Sequence, residues 1–291
     1  MDARDVHTAP VSQAIRTLTR PDLDTMVDWA AAEGWNPGVH DADAFFAADP
    51  AGFFGLELDG ELAVSLSVVR YDDSFGFMGF YICRPELRGQ GLGVELFASA
   101  LDRRTATTLG LDGVLEQEPN YARDGFVTAH HSVRFGGTPA TLTARPEGVR
   151  VLSSTDVDAL VAFEREQHVF PAARPAFLAR WITAPGSTAF AVGDADRIDG
   201  YGVARACREG HKVGPLFCAD RATAERLLAA LLAHVDGGPV FLDVPGPNAE
   251  GSALARDLGL EPVFETARMY RGPDPGLRLD RVFGISSFEL G

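Results

Sequence analysis

The pattern of apolar stripes and turn residues in this chain runs through the same order twice. That constrains its folding more than any other feature. In the first half, Leu23, Met26, Val27, Ala30 and Ala31 recur at helical spacing until Gly34 stops them, which predicts a helix over residues 21–34. A short helix at 41–48 ends before Pro50. Strands are expected at 53–58, 61–71 and 75–83, the first two joined by an Asp59-Gly60 hairpin turn. A striped helix from Gly91 to about Thr105, a short strand at 113–117, a helical turn at 120–124 and a strand at 126–135 complete the set. The second half repeats it with a helix at 155–167 and Ala176-Phe177-Leu178 answering to Ala44-Phe45-Phe46. Strands at 190–193, 200–207 and 212–218, a helix at 222–235 and a strand at 240–244 follow. Asn248 then opens a helix that Gly259 closes, and a strand passes through Met269 and Tyr270. The repeat is about 145 residues long, which suits two domains better than one core of 291 residues. Gly136, Gly137, Pro139, Pro146 and Gly148 cluster at the junction as a linker does, so domains over 1–140 and 141–291 are expected.

The net charge of −15 argues against nucleic acid or an anionic membrane as partner, while leaving room for a local basic pocket. No stretch approaches the roughly 18 apolar residues of a membrane span. Cys83, Cys207 and Cys218 are odd in number and form no C-x-x-C pair, so neither a disulfide framework nor a metal site is expected, and a reducing cytoplasm fits. Residues 1–13 are polar and lack the apolar run of a signal peptide.

Chemistry is concentrated in Arg88-Gly89-Gln90-Gly91-Leu92-Gly93, which leads from a strand through a turn into a striped helix. A helix N-terminus carries N–H groups without intrahelical partners, and these, with the helix dipole, favour an anion. Gly89, Gly91 and Gly93 let a phosphate approach the backbone, and Arg88 adds a fork of charged donors. Neither G-x-G-x-x-G nor Gly-Lys-Ser/Thr is present, which argues against a dinucleotide or nucleoside triphosphate site.

Strand, Arg-x-x-Gly-x-Gly, helix resembles the acyl-CoA signature of the Gcn5-related N-acetyltransferases (GNAT), matched here by Arg88, Gly91 and Gly93. Downstream, Asn120-Tyr121-Ala122-Arg123-Asp124-Gly125-Phe126 resembles the family's closing Tyr-x-x-x-Gly-Phe segment, and the order of elements agrees over residues 15–135. The resemblance implies an α/β (α+β) chain of two tandem GNAT-like domains, each a mixed, mostly antiparallel sheet flanked by helices. It also implies acetyl-CoA as cofactor, and direct acetyl transfer to an amine of a small-molecule or peptide acceptor. The pyrophosphate would lie on the backbone N–H groups of Arg88, Gly89, Gln90, Gly91, Leu92, Gly93 and Val94. The pantetheine arm would lie along Ile82 and Cys83, where two strands splay and backbone donors polarise the thioester carbonyl. Tyr121 matches the general acid that protonates the departing thiolate; its other reading is a buried aromatic. Asn120 either bonds the arm or caps a helix. No acid lies on the strand before the loop, so Glu116 and Glu118, expected on one side of the next strand, become candidates near the acceptor amine, Glu118 as base. His130 and His131 lie on a far strand, and Trp35 is either an acceptor-site wall or core.

The second half departs from the signature. Residues 219–230 contain no glycine, and Ala255 stands where the tyrosine belongs, so that half is expected to lack both cofactor and catalysis. A non-catalytic CoA-binding module and a transferase using another acyl donor are the alternative readings.

Overall fold

The computed structural model describes residues 12–139, 146–194, 197–235 and 237–291. The first half contains β1 (Gln13–Thr17), α1 (Arg20–Ala32), α2 (Asp41–Ala48), β2 (Phe53–Leu58), β3 (Glu61–Arg70), β4 (Phe75–Cys83), α3 (Leu92–Arg103), β5 (Thr108–Val114), α4 (Glu118–Arg123) and β6 (Val127–Gly137). The second contains β7 (Val149–Val151), α5 (Val157–Gln167), α6 (Pro175–Trp181), β8 (Ser187–Gly193), β9 (Ile198–Ala206), β10 (His211–Cys218), α7 (Arg221–Leu232), β11 (Val240–Pro245), α8 (Ala249–Asp257), β12 (Glu261–Arg271) and β13 (Val282–Gly284). Local chemistry sets these limits. Thr19 and Asp22 form a capping box at the start of α1. Asp59 and Gly60 both adopt positive φ, which the tight turn between β2 and β3 requires.

The strands form one sheet in the order β1-β2-β3-β4-β5-β12-β6-β11-β10-β9-β8-β7, with β13 added beside β10. Pairing is antiparallel apart from β4 with β5 and β10 with β11. The two halves exchange their last strands. β12 of the second half pairs with β5 of the first, and β6 of the first pairs with β11 of the second. β12 and β6 also pair with each other, so the sheet runs through the junction without an edge.

Three apolar layers cover the sheet. One draws on α1, α2, α5 and α6 together, with Phe45 and Trp181 from opposite halves at 5.7 Å between ring centroids. α3 covers the opposite face of the first half through Leu96, Phe97 and Ala100. α7 and α8 cover that of the second through Leu227, Leu231 and Leu254. Each such fully buried leucine or phenylalanine contributes about 1.5–3 kcal/mol.

Two expectations need correction. The strand expected at 113–117 is instead β5 at Thr108–Val114, and Leu115–Gln117 turn as a short 3-10 helix into α4. Parallel pairing of Thr108 with Phe75 starts the strand early, and Pro119 in the first turn of α4 ends strand geometry. Glu116 and Glu118 therefore do not share a strand face. Gly136 and Gly137, expected in the linker, pair with Phe241 and Val240 as the end of β6; linker residues 140–145 lie outside the described residues.

Candidate active site

The site begins with a bulge in β4. Gly79 pairs with Ser67 of β3 and Ile82 pairs with Ser65, so β4 spends one residue more than β3 over this step. Phe80 sits at φ 50° in the bulge, and Ser65 Oγ donates to its carbonyl at 2.9 Å. The distortion turns β4 away from β5. The two pair only from Phe75 with Thr108 to Met78 with Leu111, and beyond Met78 the edge of β4 facing β5 has no strand partner among the described residues. The splay expected between these strands is present, and a cavity of about 600 Å³ occupies it.

The glycine-rich loop forms the mouth. Gly89 and Gly91 adopt φ of 77° and 82°, where a Cβ is disfavoured although space for one exists. Gly91 caps α3 without any side-chain acceptor, and among the described residues no acceptor outside the helix reaches the amides of Gly89, Gln90 and Gly91 or the first-turn amides of Leu92, Gly93 and Val94. Gly93 is required for another reason: a Cβ there would stand 2.6 Å from the Tyr81 hydroxyl. Arg88 is folded onto the chain, pairing with Glu33 and donating from Nε to the Cys83 carbonyl at 3.0 Å.

Tyr121 closes the far wall. Its ring lies against β5, where only a glycine fits: a Cβ on Gly113 would meet Tyr121 Cε2 at 2.7 Å. The ring also packs 6.3 Å from both Phe97 and Phe126. Its hydroxyl makes no hydrogen bond among the described residues. Burial, and then the neighbouring Tyr81, raise its pKa, so the phenol keeps its proton at neutral pH. Burial likewise pushes Tyr81 up to about 12.

The cavity brings together Trp35, Ile82, Cys83, Arg88, Gly89, Gly91, Leu92, Gly93, Val94 and Tyr121. Gln90 lies outside its lining. Asn120 faces an adjoining cleft along α3 and α4, where its amide is held by Gln117 at 2.8 Å and Arg123 at 3.0 Å. Glu116 lines neither space, and Glu118 is turned outward, bonded to Thr128 Oγ1 at 2.5 Å and 3.6 Å from His131. Among the described residues no group of His, Cys, Asp and Glu suits a metal.

The inner end of the cavity is built by the second half, which the sequence did not disclose. Phe264 and Thr266 come from β12, Phe288 and Glu289 from the segment after β13, and they face Trp35 and Asp112. Asp112 is tied to Arg268 of β12 by two hydrogen bonds, at 2.8 and 2.6 Å. Burial raises the Asp112 pKa, while the Arg268 charge opposes that rise. Arg134 of β6 holds Asp243 of β11 by two bonds, at 2.6 and 2.8 Å, donates to the Trp35 carbonyl at 2.8 Å and stacks 4.8 Å from the Phe288 ring.

The second half keeps the bulge and fills the slot. Between Val213 and Leu216, β10 spends one residue more than β9, and β10 and β11 pair only over 211–213 with 240–242, as in the first half. Here β13 enters the splay and pairs with Leu216 and Phe217, the counterparts of Ile82 and Cys83. The helix that follows, α7, has its N-terminus closed by its own Asp220, whose carboxylate accepts from Thr223 N at 2.8 Å. That bond holds the Asp220 pKa below the usual carboxylate range. Asn248 is a helix cap, accepting from Gly251 N, and Ala255 is fully buried.

Known proteins share this fold. Residues 15–125 match the model of the acetyltransferase (GNAT) family, and residues 162–284 match that of an acetyltransferase (GNAT) domain. The chain is 33% identical over 265 residues to the holothin acyltransferase of Pseudoalteromonas sp. (strain SANK 73390), covering 91% of this chain and 90% of that protein. A crystal structure of a putative acetyltransferase from Pyrococcus horikoshii superposes with a TM-score of 0.76 at 20% identity, over 100% of this chain and 99% of that one. A tandem GNAT protein from the clavulanic acid biosynthesis pathway gives 0.60 at 16% identity, over 90% of this chain and 100% of its own. With the duplicated element order, the splayed strands and a curated relative along nearly its whole length, this chain belongs to the GNAT family of acyltransferases, in its tandem form.

Proposed function

We propose that the enzyme transfers an acetyl group from acetyl-CoA directly to an amine of a small-molecule acceptor, in the slot between β4 and β5. The open edge of β4 beside a capless helix N-terminus carries this reading. In it, the free amides of the glycine-rich loop take the pyrophosphate, and the pantetheine arm lies along Ile82 and Cys83 as an added strand. The phenol of Tyr121, protonated and unbonded, gives its proton to the departing thiolate. The relative's name assigns it holothin as acceptor. A small molecule suits this chain too, because side chains of both halves line one cavity of about 600 Å³. Glu116 and Glu118 drop out as base and acceptor ligand in this reading, because neither faces the cavity. A cytoplasmic location and a division near residue 140 are parts of the same proposal.

Calorimetry tests it directly. We expect one CoA bound per chain, since β13 occupies the second slot, and Gly91→Trp should abolish that binding by placing an indole over the free amides. No binding to the unaltered protein, or equal binding to the variant, would sink the proposal. Thiol release from acetyl-CoA with holothin and a panel of amines then reads the transfer; a longer acyl donor preferred over acetyl would change the donor and keep the slot.

A further inference from the structure

The cavity's inner end holds buried polar groups that no described residue satisfies. Glu289 is 3% exposed, lines the cavity and makes no hydrogen bond through its carboxylate; its Oε1 is fully enclosed. Thr266 Oγ1, in the same lining, is likewise enclosed and without a partner. A buried polar group left unpaired costs about 1–3 kcal/mol, and a charged one costs more, so such groups point to a missing ligand.

The surrounding charges sharpen this. Arg134, Arg205, Arg268 and Lys212 stand in this buried layer against Asp243, Asp41, Asp112 and Glu289. Three pairs are closed by salt bridges. Lys212 donates instead to the Trp35 carbonyl at 2.9 Å, which leaves Glu289 without an ion-pair partner among the described residues. Burial lowers the Lys212 pKa, and the field of Glu289 counters it, so the lysine balances the carboxylate without occupying its lone pairs. Glu289 also stands beside the start of the splay. Its backbone packs against Gly79, where any Cβ would overlap the Glu289 carbonyl, and Gly79 immediately precedes the bulge that opens β4.

The walls describe the acceptor. Trp35, Phe264 and Phe288 line the same end, with Phe264 and Phe288 at 6.1 Å between centroids and Arg134 stacked 4.8 Å from Phe288. Together these rings give the acceptor an apolar surface beside the Glu289 carboxylate. Glu289, the carboxylate at this end without an ion pair among the described residues, disfavours an acceptor that brings a second carboxylate against it.

Resting on the acetyl-transfer reading above, we propose that Glu289, supplied by the second half, is the general base of the reaction, and that the subsite it ends takes a non-anionic primary amine with an apolar or aromatic body, with Thr266 as a second polar contact. The neutral amine nitrogen attacks the thioester carbonyl carbon as an N–H proton passes to the Glu289 carboxylate. The carbon–sulfur bond breaks with its electron pair on sulfur, and the thiolate takes the Tyr121 proton. Glu289 then returns its proton to solvent and Tyr121 regains one, so the products are the amide and free CoA.

The test compares wild type, Glu289→Gln and Glu289→Asp with acetyl-CoA and two amines of equal size, one aromatic and one carrying a carboxylate. We expect wild type to acetylate the aromatic amine and reject the acid. Glu289→Gln should lower kcat on the order of 10²–10⁴-fold, the usual contribution of a positioned base, with CoA affinity unchanged by calorimetry. Glu289→Asp keeps the charge but retracts it by one methylene, and should lower kcat while keeping the fold should the glutamine variant fail to fold. Thr266→Val should raise KM for the amine and leave kcat alone. Wild-type turnover with kcat unaltered in the folded glutamine or aspartate variant overturns the base; preference for the acidic amine overturns the subsite. Absence of CoA binding by wild type is a separate result, and it overturns the underlying reading together with this one.

Discussion

Replacing Asp243 with alanine strikes the crossing of the two halves, and its cost follows from the geometry. Asp243 and Arg134 face each other across the antiparallel pair of β11 and β6, with side chains 5% and 4% exposed. Both carboxylate oxygens accept from the guanidinium. Truncation leaves a buried cation whose remaining acceptor is the Trp35 carbonyl. Removing one member of such a pair costs about 3–5 kcal/mol, because the partner stays desolvated and unpaired. At roughly 2–4 °C per kcal/mol for a chain of this class, the melting temperature should fall by about 6–20 °C. The exchanged strands also predict that the loss appears in one transition shared by both halves. The double variant Arg134→Met with Asp243→Leu removes charge and partner together, and should recover most of the loss, giving a strongly non-additive cycle. Urea titration of the three variants measures this. A loss under about 1 kcal/mol for Asp243→Ala, or additive costs, would refute the idea that the pair is a mutually dependent buried unit.

Tyr121→Phe should leave CoA affinity intact, because the ring and its packing against Gly113 remain, while kcat drops on the order of 10²–10⁴-fold; unchanged turnover would remove the phenol from the mechanism. A pH dependence follows from His130, whose pKa is lowered to about 3 by burial, then by the charges of Arg268 and His131. Unfolded, the imidazole takes its proton near its ordinary 6.5, well before the folded one does, so this group makes stability fall as pH drops from about 6.5 to about 3. His130→Gln should flatten that slope in denaturant midpoints measured at pH 4.5 and 7.5; an unchanged slope would assign it to other groups.

Local pattern made most elements legible. The helical stripe of α1, the Asp59-Gly60 turn and the loop from Arg88 to Gly93 each carry their conformation in residue type and spacing. β5 was misplaced because Thr108–Val114 holds two glycines and an aspartate, and its strand geometry comes from its neighbours β4 and β12. Strand exchange was beyond reach for a related reason: alternation marks a strand's faces and leaves its partners unspecified. The candidate base was hidden by distance along the chain. Glu289 sits about 170 residues after Tyr121, in a segment without periodicity, and only the path of the chain after β13 carries it to Gly79. Glu116 and Glu118 had sequence proximity in their favour, but the turn after β5 aims them elsewhere.

The strand that fills the second slot is in effect a tethered ligand. Because β13 belongs to the same chain as β10, its local concentration at Leu216 and Phe217 is fixed by the connecting backbone and does not change with dilution. A cofactor arriving from solution would compete with an attached rival that pays no translational entropy on binding. Occupancy of the second slot is therefore set by covalent structure, and under the proposed function a chain built from two copies of one binding fold keeps a single slot whose occupancy follows the supply of acyl donor.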